Sequence, residues 1–280
     1  MTAPVLTREV AVLPGPADAS APRPFVFDDG AAYELMMGRW SALVAHPFLD
    51  WLALPAGLAW LDDGCGDGSF TQALVEHQRP ATLVGVDPAP AQLSYARQRV
   101  SDARVRFLEG DAQELPLPDA SVDAAVMALV LFFVPDPMQG LREMVRVVRG
   151  GGTIAAYQWD LGGGGFPLQP IIDAVHAGGY QSQQPPSAWA ATLAASEHLW
   201  QSAGLMDVQA RQFEVSRTFD SFDDYWRTAY GSPRLRDLFA SLSSPELQRI
   251  KEDARRRTTG AGDSMLFIKA RANAVKGRTR

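Results

Sequence analysis

The stretch Leu61-Asp62-Asp63-Gly64-Cys65-Gly66-Asp67-Gly68-Ser69-Phe70 decides how this chain is read. An apolar run at 58–61 leads into a glycine-rich turn, and a helical pattern begins at Ser69. Glycine permits positive φ and lets a ligand lie against bare backbone. The helix that follows offers unpaired N–H groups and the positive end of its dipole. Such a turn suits a nucleotide-like ligand at the carboxyl end of a first parallel strand. The alternative is a tight strand-to-helix turn with no ligand. The spacing is Gly-x-Gly-x-Gly, and Asp62, Asp63 and Asp67 surround it. Those carboxylates would repel a pyrophosphate and attract a sulfonium or ammonium group, so the charge favours a cationic ligand over a dinucleotide.

Further along the chain, short apolar runs at 82–86, 105–108, 122–126 and 153–157 alternate with helical patterns at 69–77, 89–100 and 138–149. Strands alternating with helices imply an α/β fold with a parallel sheet and right-handed crossovers. The strand runs are almost continuously apolar, as in strands covered on both faces. Gly150, Gly151 and Gly152 are expected to end a helix and turn into the fifth strand. The glycine run 162–165 leads out of the sheet, and 190–203 reads as a helix stopped by Gly204. Two late strands are expected near 208–215 and 264–270, separated by a helical insert that contains Phe222, Tyr225, Trp226 and Tyr230. Upstream, Tyr33 to Leu52 carries apolar residues at helical spacing, which Pro47 is expected to divide into two short helices.

Two acids stand where the second and third strands end. Asp87, in Val84-Gly85-Val86-Asp87-Pro88, can accept both hydroxyls of a ribose. Asp111, in Glu109-Gly110-Asp111-Ala112, can accept from an exocyclic amine while the Ala112 N–H donates to a ring nitrogen. A solvated turn is the alternative for each acid alone. Their order at successive strand ends favours one adenosine-like ligand.

The 280 residues are 46% hydrophobic and 21% charged, a globular composition. A formal net charge of -6 argues against a nucleic-acid partner. The lone Cys65 rules out an intramolecular disulfide and a multi-cysteine zinc site. No two of the histidines form a metal-ligand pair, so no metal site is expected. No apolar run approaches the ~20 residues of a membrane span, and no signal peptide is read, so the expected location is cytoplasmic with no membrane partner.

Taken together, these residues resemble the class I S-adenosylmethionine-dependent methyltransferases, bacterial small-molecule type (a methyltransferase type 11-like domain). The resemblance covers Tyr33 to Asp160. It implies a Rossmann-like seven-stranded sheet with the last strand antiparallel, and S-adenosylmethionine as cofactor with S-adenosylhomocysteine as product. It implies cofactor contacts by Asp62, Gly64, Cys65 and Gly66 in the loop, by Asp87, Pro88 and Gln92 after the second strand, and by Asp111, Ala112 and Met127. Tyr33 and Arg39 resemble a segment in which an arginine reaches the cofactor carboxylate, as a guanidinium can do with two donors. Position 67 departs from the family in being Asp where Thr, Ser or Asn is usual, and position 63 in being Asp where an apolar residue is usual. The implied organisation is an arm at 1–24, capping helices at 25–57, a cofactor core at 58–160, the remaining sheet with a substrate lid (about 217–262) at 161–275, and a basic tail at 276–280.

Methyl transfer from such a cofactor is a one-step displacement, in which positioning supplies most of the catalysis. No general base is evident among His46, His77, His176 and His198. Tyr157, Trp159 and Asp160 at the fifth strand's end, with Tyr225 and Trp226 in the lid, are the candidates for holding a small-molecule acceptor. Packing is the alternative for each. Two other functions stay open at this point, a non-catalytic cofactor-binding relative and an NAD-dependent dehydrogenase.

Overall fold

The computed structural model describes residues 34–258 and 265–280. The alternating pattern folds as follows. A π turn at Glu34–Gly38 leads into α1 (Arg39–Leu52), then β1 (Ala59–Asp63), α2 (Ser69–Gln78), β2 (Thr82–Asp87), α3 (Pro90–Arg99) and β3 (Val105–Glu109). Next come β4 (Val122–Ala128), α4 (Pro137–Val147), β5 (Val148–Trp159), α5 (Gln169–Ala177), α6 (Leu193–Ser202) and β6 (Met206–Phe219). Helices α7 (Phe222–Thr228), α8 (Pro233–Ser241) and α9 (Ser244–Thr258) form the insert, and β7 (Leu266–Arg278) closes the fold.

These strands form one seven-stranded sheet in the order β3-β2-β1-β4-β5-β7-β6. Strands β1 to β5 pair in parallel, and β7 runs antiparallel to both neighbours. The chain order reverses on the two sides of β1, so the carboxyl ends of β1 and β4 border the crevice where such sheets bind ligands. Strand side chains alternate between faces. Trp60 enters the core layer under α1 and the insert, whereas Leu61 enters the layer with Leu141 and Met144 of α4 and Trp200 of α6.

Several expectations are corrected. Pro47 lies inside an unbroken α1. The carbonyl it leaves without a donor is that of Leu43, on the 41% exposed side where water can reach it. Gly150, Gly151 and Gly152 belong to β5 itself. There the register against β4 shifts between Val122 and Ala124, Gly151 takes φ +78°, and a Cβ on Gly152 would press on the Asp123 carbonyl. The expected helix at 190–203 is split into a 3-10 turn and α6, because Thr192 stops the first and caps the second through the Ala195 amide. Lys276 to Arg278 are not a tail. They complete β7, in register with Met206 and Gln209 of β6 and with Thr153 to Ala155 of β5. The arm at 1–24, Tyr33 and Ser264 lie outside the described residues.

The segment between β3 and β4 carries Asp111 and Ala112 and has almost no regular structure. Helix α4 holds it. The Arg146 guanidinium donates to the carbonyls of Leu115 and Leu117 at 3.0 and 2.8 Å and pairs with Asp119 at 2.8 Å. Glu143, which pairs with Arg146 at 2.6 Å, accepts from the Leu115 amide at 2.8 Å. Truncating one partner leaves several backbone groups unsatisfied. Arg146→Ala is therefore expected to lower stability by about 1–3 kcal/mol in urea unfolding. Amide hydrogen exchange should speed up across 113–121 and leave β1 and β5 unchanged.

Candidate functional site

At the carboxyl edge of the sheet, backbone hydrogen bonds draw three strand ends together. The amides of Gly64 and Cys65 both donate to the Val86 carbonyl, at 2.8 and 2.9 Å. The Gly110 amide donates to the Asp87 carbonyl at 3.3 Å. The Asp87 carboxylate accepts from the Gly66 amide through Oδ2 and from the Ala89 amide through Oδ1, both at 2.9 Å. Gly64, Asp87 and Asp111 thus border one crevice.

The glycines of the loop have separate causes. Gly64 takes φ +79°, and a Cβ there would collide with the Val130 methyls in the turn after β4. Gly68 takes φ +80° and lets α2 approach Ala96 of α3. Gly66, at φ +51°, differs from both because a Cβ there would meet nothing within 4 Å. Its backbone faces open space, which is the geometry of a cradle.

The acids behave differently from one another. Asp67 caps the start of α2 by accepting from the Ser69 amide at 3.0 Å, and it pairs with Arg99 at 3.2 Å. That pairing accounts for an acid at position 67. Asp62 is fully buried and accepts from the Thr71 hydroxyl through Oδ2 at 2.5 Å. Its Oδ1 has no partner. Burial pushes the Asp62 carboxyl up to about 7, against the pull of the Thr71 hydrogen bond. Asp63 is 1% exposed, and neither of its oxygens has a hydrogen-bond partner. Burial raises it well above the usual carboxylate range, and the charges of Asp62, Asp111, Asp87 and Glu143 push the same way. Asp87 is raised by burial against the hydrogen bonds from Ala89 and Gly66. Burial likewise raises the thiol of Cys65.

The remaining candidates sort into two groups. Asp111 is exposed at the rim and accepts from the Gln113 amide at 2.7 Å; Ala112 is half-buried beside it. Pro88 is exposed and Gln92 buried at the start of α3. Arg39 is exposed at the first turn of α1, with no ion pair among the described residues. Met127 does not stand at the rim. It is fully buried in the layer under α4, within reach of Gly140. The residues that do meet the loop after β4 are Leu129, at φ +64°, whose amide donates to the Tyr157 carbonyl at 2.8 Å, and Val130 against Gly64. Both fall within the 127–131 run that the family resemblance places at the methionyl part of the cofactor, whereas sequence reasoning passes over Thr71 and Arg99 because a polar helix face carries no signal of its own.

The expected acceptor residues are held by the protein itself. Tyr157 is buried with its ring 4.8 Å from Phe48 and 5.8 Å from Phe70. Trp159 donates to the Met37 sulfur at 3.1 Å and meets Trp40 edge-on. Asp160 pairs with Arg271 at 3.2 Å and accepts from the Gly163 amide. Tyr225 donates to the Pro167 carbonyl at 3.0 Å, and Trp226 stacks on Phe239 at 5.0 Å. Packing explains the four rings, which bury more area against other rings than in an open cleft, and the ion pair with Arg271 explains Asp160. The histidines lie elsewhere. His77 pairs with Asp50 at 3.0 Å beside His46, His176 meets Ser182, and His198 meets Ser202.

A family model described as a methyltransferase domain matches residues 61–156. The chain is 31% identical over 158 residues to the 2-methyl-6-phytyl-1,4-hydroquinone methyltransferase 1 of rice chloroplasts, covering 56% of this chain and 43% of that one. It is 40% identical over 101 residues to a demethylmenaquinone methyltransferase of Deinococcus radiodurans, covering 35% and 42%. The chain thus spans less than half the length of these curated relatives. Among solved structures, a Haemonchus contortus phosphoethanolamine N-methyltransferase bound to S-adenosylhomocysteine superposes with a TM-score of 0.55 at 17% identity, over 89% of this chain and 57% of that one. Residues 61–156 thus match a methyltransferase domain, and the sheet order is that of the Rossmann-like fold shared with that solved structure.

Proposed function

We propose that this protein is an S-adenosylmethionine-dependent methyltransferase acting on a small-molecule acceptor. One observation carries the reading most directly. The open backbone of Gly66 is braced by Asp87, and the adjacent Asp62 keeps a buried oxygen without a partner. The cradle has room for a ligand, and an orphaned buried carboxylate oxygen invites a cationic or hydrogen-donating one. When bound, the cofactor supplies a methyl group on a positively charged sulfur.

The chain's own residues then divide the work. Asp87 spends one lone pair per oxygen on Gly66 and Ala89 and has others left for the ribose hydroxyls. Asp111 and the Ala112 amide read the adenine edge, with Pro88 and Gln92 beside them. Asp62, Gly64, Cys65 and Gly66 hold the methionyl side, and Arg39 reaches toward its carboxylate. The packed rings of Tyr157, Trp159, Tyr225 and Trp226 are buried behind the acceptor side and keep it rigid without touching the acceptor. Such apolar surroundings favour an acceptor with an apolar ring. The hydroquinone and demethylmenaquinone named for the rice and Deinococcus proteins are of this chemical kind. Alignment of acceptor, methyl and sulfur in a fixed geometry supplies about 7–11 kcal/mol of the barrier without a dedicated base.

Calorimetric titration with S-adenosylhomocysteine and, separately, with NADH tests the cofactor. Binding of the first alone is expected, and binding of NADH alone overturns the reading. Transfer of a radiolabelled methyl group to a panel of prenylated hydroquinones, phenols and amines tests the reaction. Binding without transfer to any acceptor would instead favour a sensor or partner module. Gly66→Val places a branched side chain in the cradle and is expected to weaken cofactor binding at least about tenfold, which corresponds to ~1.4 kcal/mol. Asp87→Asn turns one acceptor into a donor facing backbone amides, with a loss of about ten- to hundredfold expected from the strength of charge-assisted hydrogen bonds.

A further inference from the structure

Among the described residues, Asp63 has no hydrogen-bond or ion-pair partner. It follows Asp62 on β1 and lies on the same face as Leu61, in register with Val86. At 1% exposure, neither of its oxygens receives a hydrogen bond from protein. Asp63 directly precedes Gly64 of the loop, and the charges of Asp62 on its own strand, Asp87 at the end of β2, Asp111 after β3 and Glu143 on α4, the last already paired with Arg146, all act on it with the same sign. The buried thiol of Cys65 lies two positions away. The nearby Asp67 is compensated by Arg99, but Asp63 has no such cation.

A buried carboxyl of this kind keeps its proton in the empty protein. It can ionise only if a positive charge arrives in the same low-dielectric space. Asp63 ends β1 opposite Val86, whose carbonyl holds the loop amides of Gly64 and Cys65, and three of the acids that act on it (Asp62, Asp87 and Asp111) are those assigned above to the cofactor, so this sheet edge is where that charge would arrive. Building on that assignment, we propose that Asp63 makes the site charge-selective, favouring the sulfonium cofactor over the neutral thioether product by giving up a proton to solvent when the former binds. S-adenosylmethionine and S-adenosylhomocysteine share their adenosine, ammonium and carboxylate groups. They differ by one methyl and one positive charge, so a difference in protons released reads the sulfonium alone. The consequence is weak product inhibition: the departing product no longer carries the charge that held its precursor.

Titration calorimetry with each of the two ligands, at pH 7 in buffers of different ionisation enthalpy, counts the protons. More release is expected with S-adenosylmethionine than with S-adenosylhomocysteine. Asp63→Leu and the isosteric Asp63→Asn should both erase that excess and lower the ratio of the two affinities about tenfold. Equal proton counts for both ligands in the unaltered protein would overturn the proposal, as would an excess that survives in both variants and so belongs to Asp62. If neither ligand binds, the cofactor assignment itself fails, a result distinct from binding without an excess.

Stability gives a second measure. A carboxyl whose folded pKa lies above its unfolded value binds more protons when folded. It therefore costs stability as pH rises from the unfolded value toward the folded one, and costs nothing below both. Asp63→Leu should accordingly raise the melting temperature more at pH 8 than at pH 4. An equal gain at both would show that the group is not held protonated.

Discussion

The Asp87 carboxylate is the brace on which the crevice depends. One oxygen holds the Gly66 amide of the first loop and the other turns back on Ala89, where α3 begins. Its backbone carbonyl receives Gly110 from the third strand end, and the carbonyl before it receives Gly64 and Cys65. One residue and its predecessor therefore fix three loops from three parallel strands. Parallel strands are linked only through crossovers, so nothing in chain connectivity brings their carboxyl ends into register. The sheet ladder does this, the bonds at Val86 and Asp87 carry it into the loops beyond the strands, and they explain why an acid is useful there before any ligand arrives. An acid is the side chain that can accept from two loops and keep lone pairs for a third partner.

The same region shows how unequal neighbouring acids can be. Asp67, Asp62 and Asp63 fall within seven residues of sequence, yet one is paired with arginine, one is half-satisfied by a threonine hydroxyl, and one has no partner among the described residues. From sequence alone the three read as a uniform negative field. Strand alternation separates them. Asp62 points toward the helix that carries Thr71, whereas Asp63 points toward the layer whose nearest cation, Arg146, is engaged with Glu143, Asp119 and two carbonyls. The negative charge that argued against a pyrophosphate is therefore smaller in the folded protein than in the sequence: Asp67 is paired with Arg99, and burial keeps Asp62 and Asp63 from being fully charged.

The sheet was legible because its signals are local. Continuous apolar runs bounded by glycine and acid gave five parallel strands within a few residues of their ends, and the order of Gly64, Asp87 and Asp111 along the chain is their order across the sheet edge. Less legible were features set by long-range pairing. Gly150 to Gly152 look like a helix stop because glycine ends helices, but β4 and β7 extend the strand through them. Lys276 and Arg278 look like a solvated tail until β5 and β6 pair with them. Lys276 then donates to the Trp51 carbonyl and lies over its ring. Met127 and Leu129 differ by two positions in an apolar run, and only the positive φ of Leu129 shows which part of that run turns back to the loop.

The acceptor side carries the same lesson for chemistry. Aromatic residues at the end of β5 and in the insert suggest stacking on a substrate, yet Trp159, Trp40, Phe219 and Tyr225 pack in a row against one another, edge-on or tilted. A core that satisfies itself is a poor source of directional contacts but a rigid support. Its rings are held in place by hydrogen bonds from Trp159 to Met37 and from Tyr225 to Pro167, and they have no need to rearrange when an apolar partner arrives. Such a support suits a reaction that asks for alignment more than for proton transfer. In the proposed reaction, a braced edge that fixes one reactant beside a rigid apolar core needs few dedicated catalytic side chains, which accords with a site built mainly from the backbone of the loops and little from the histidines.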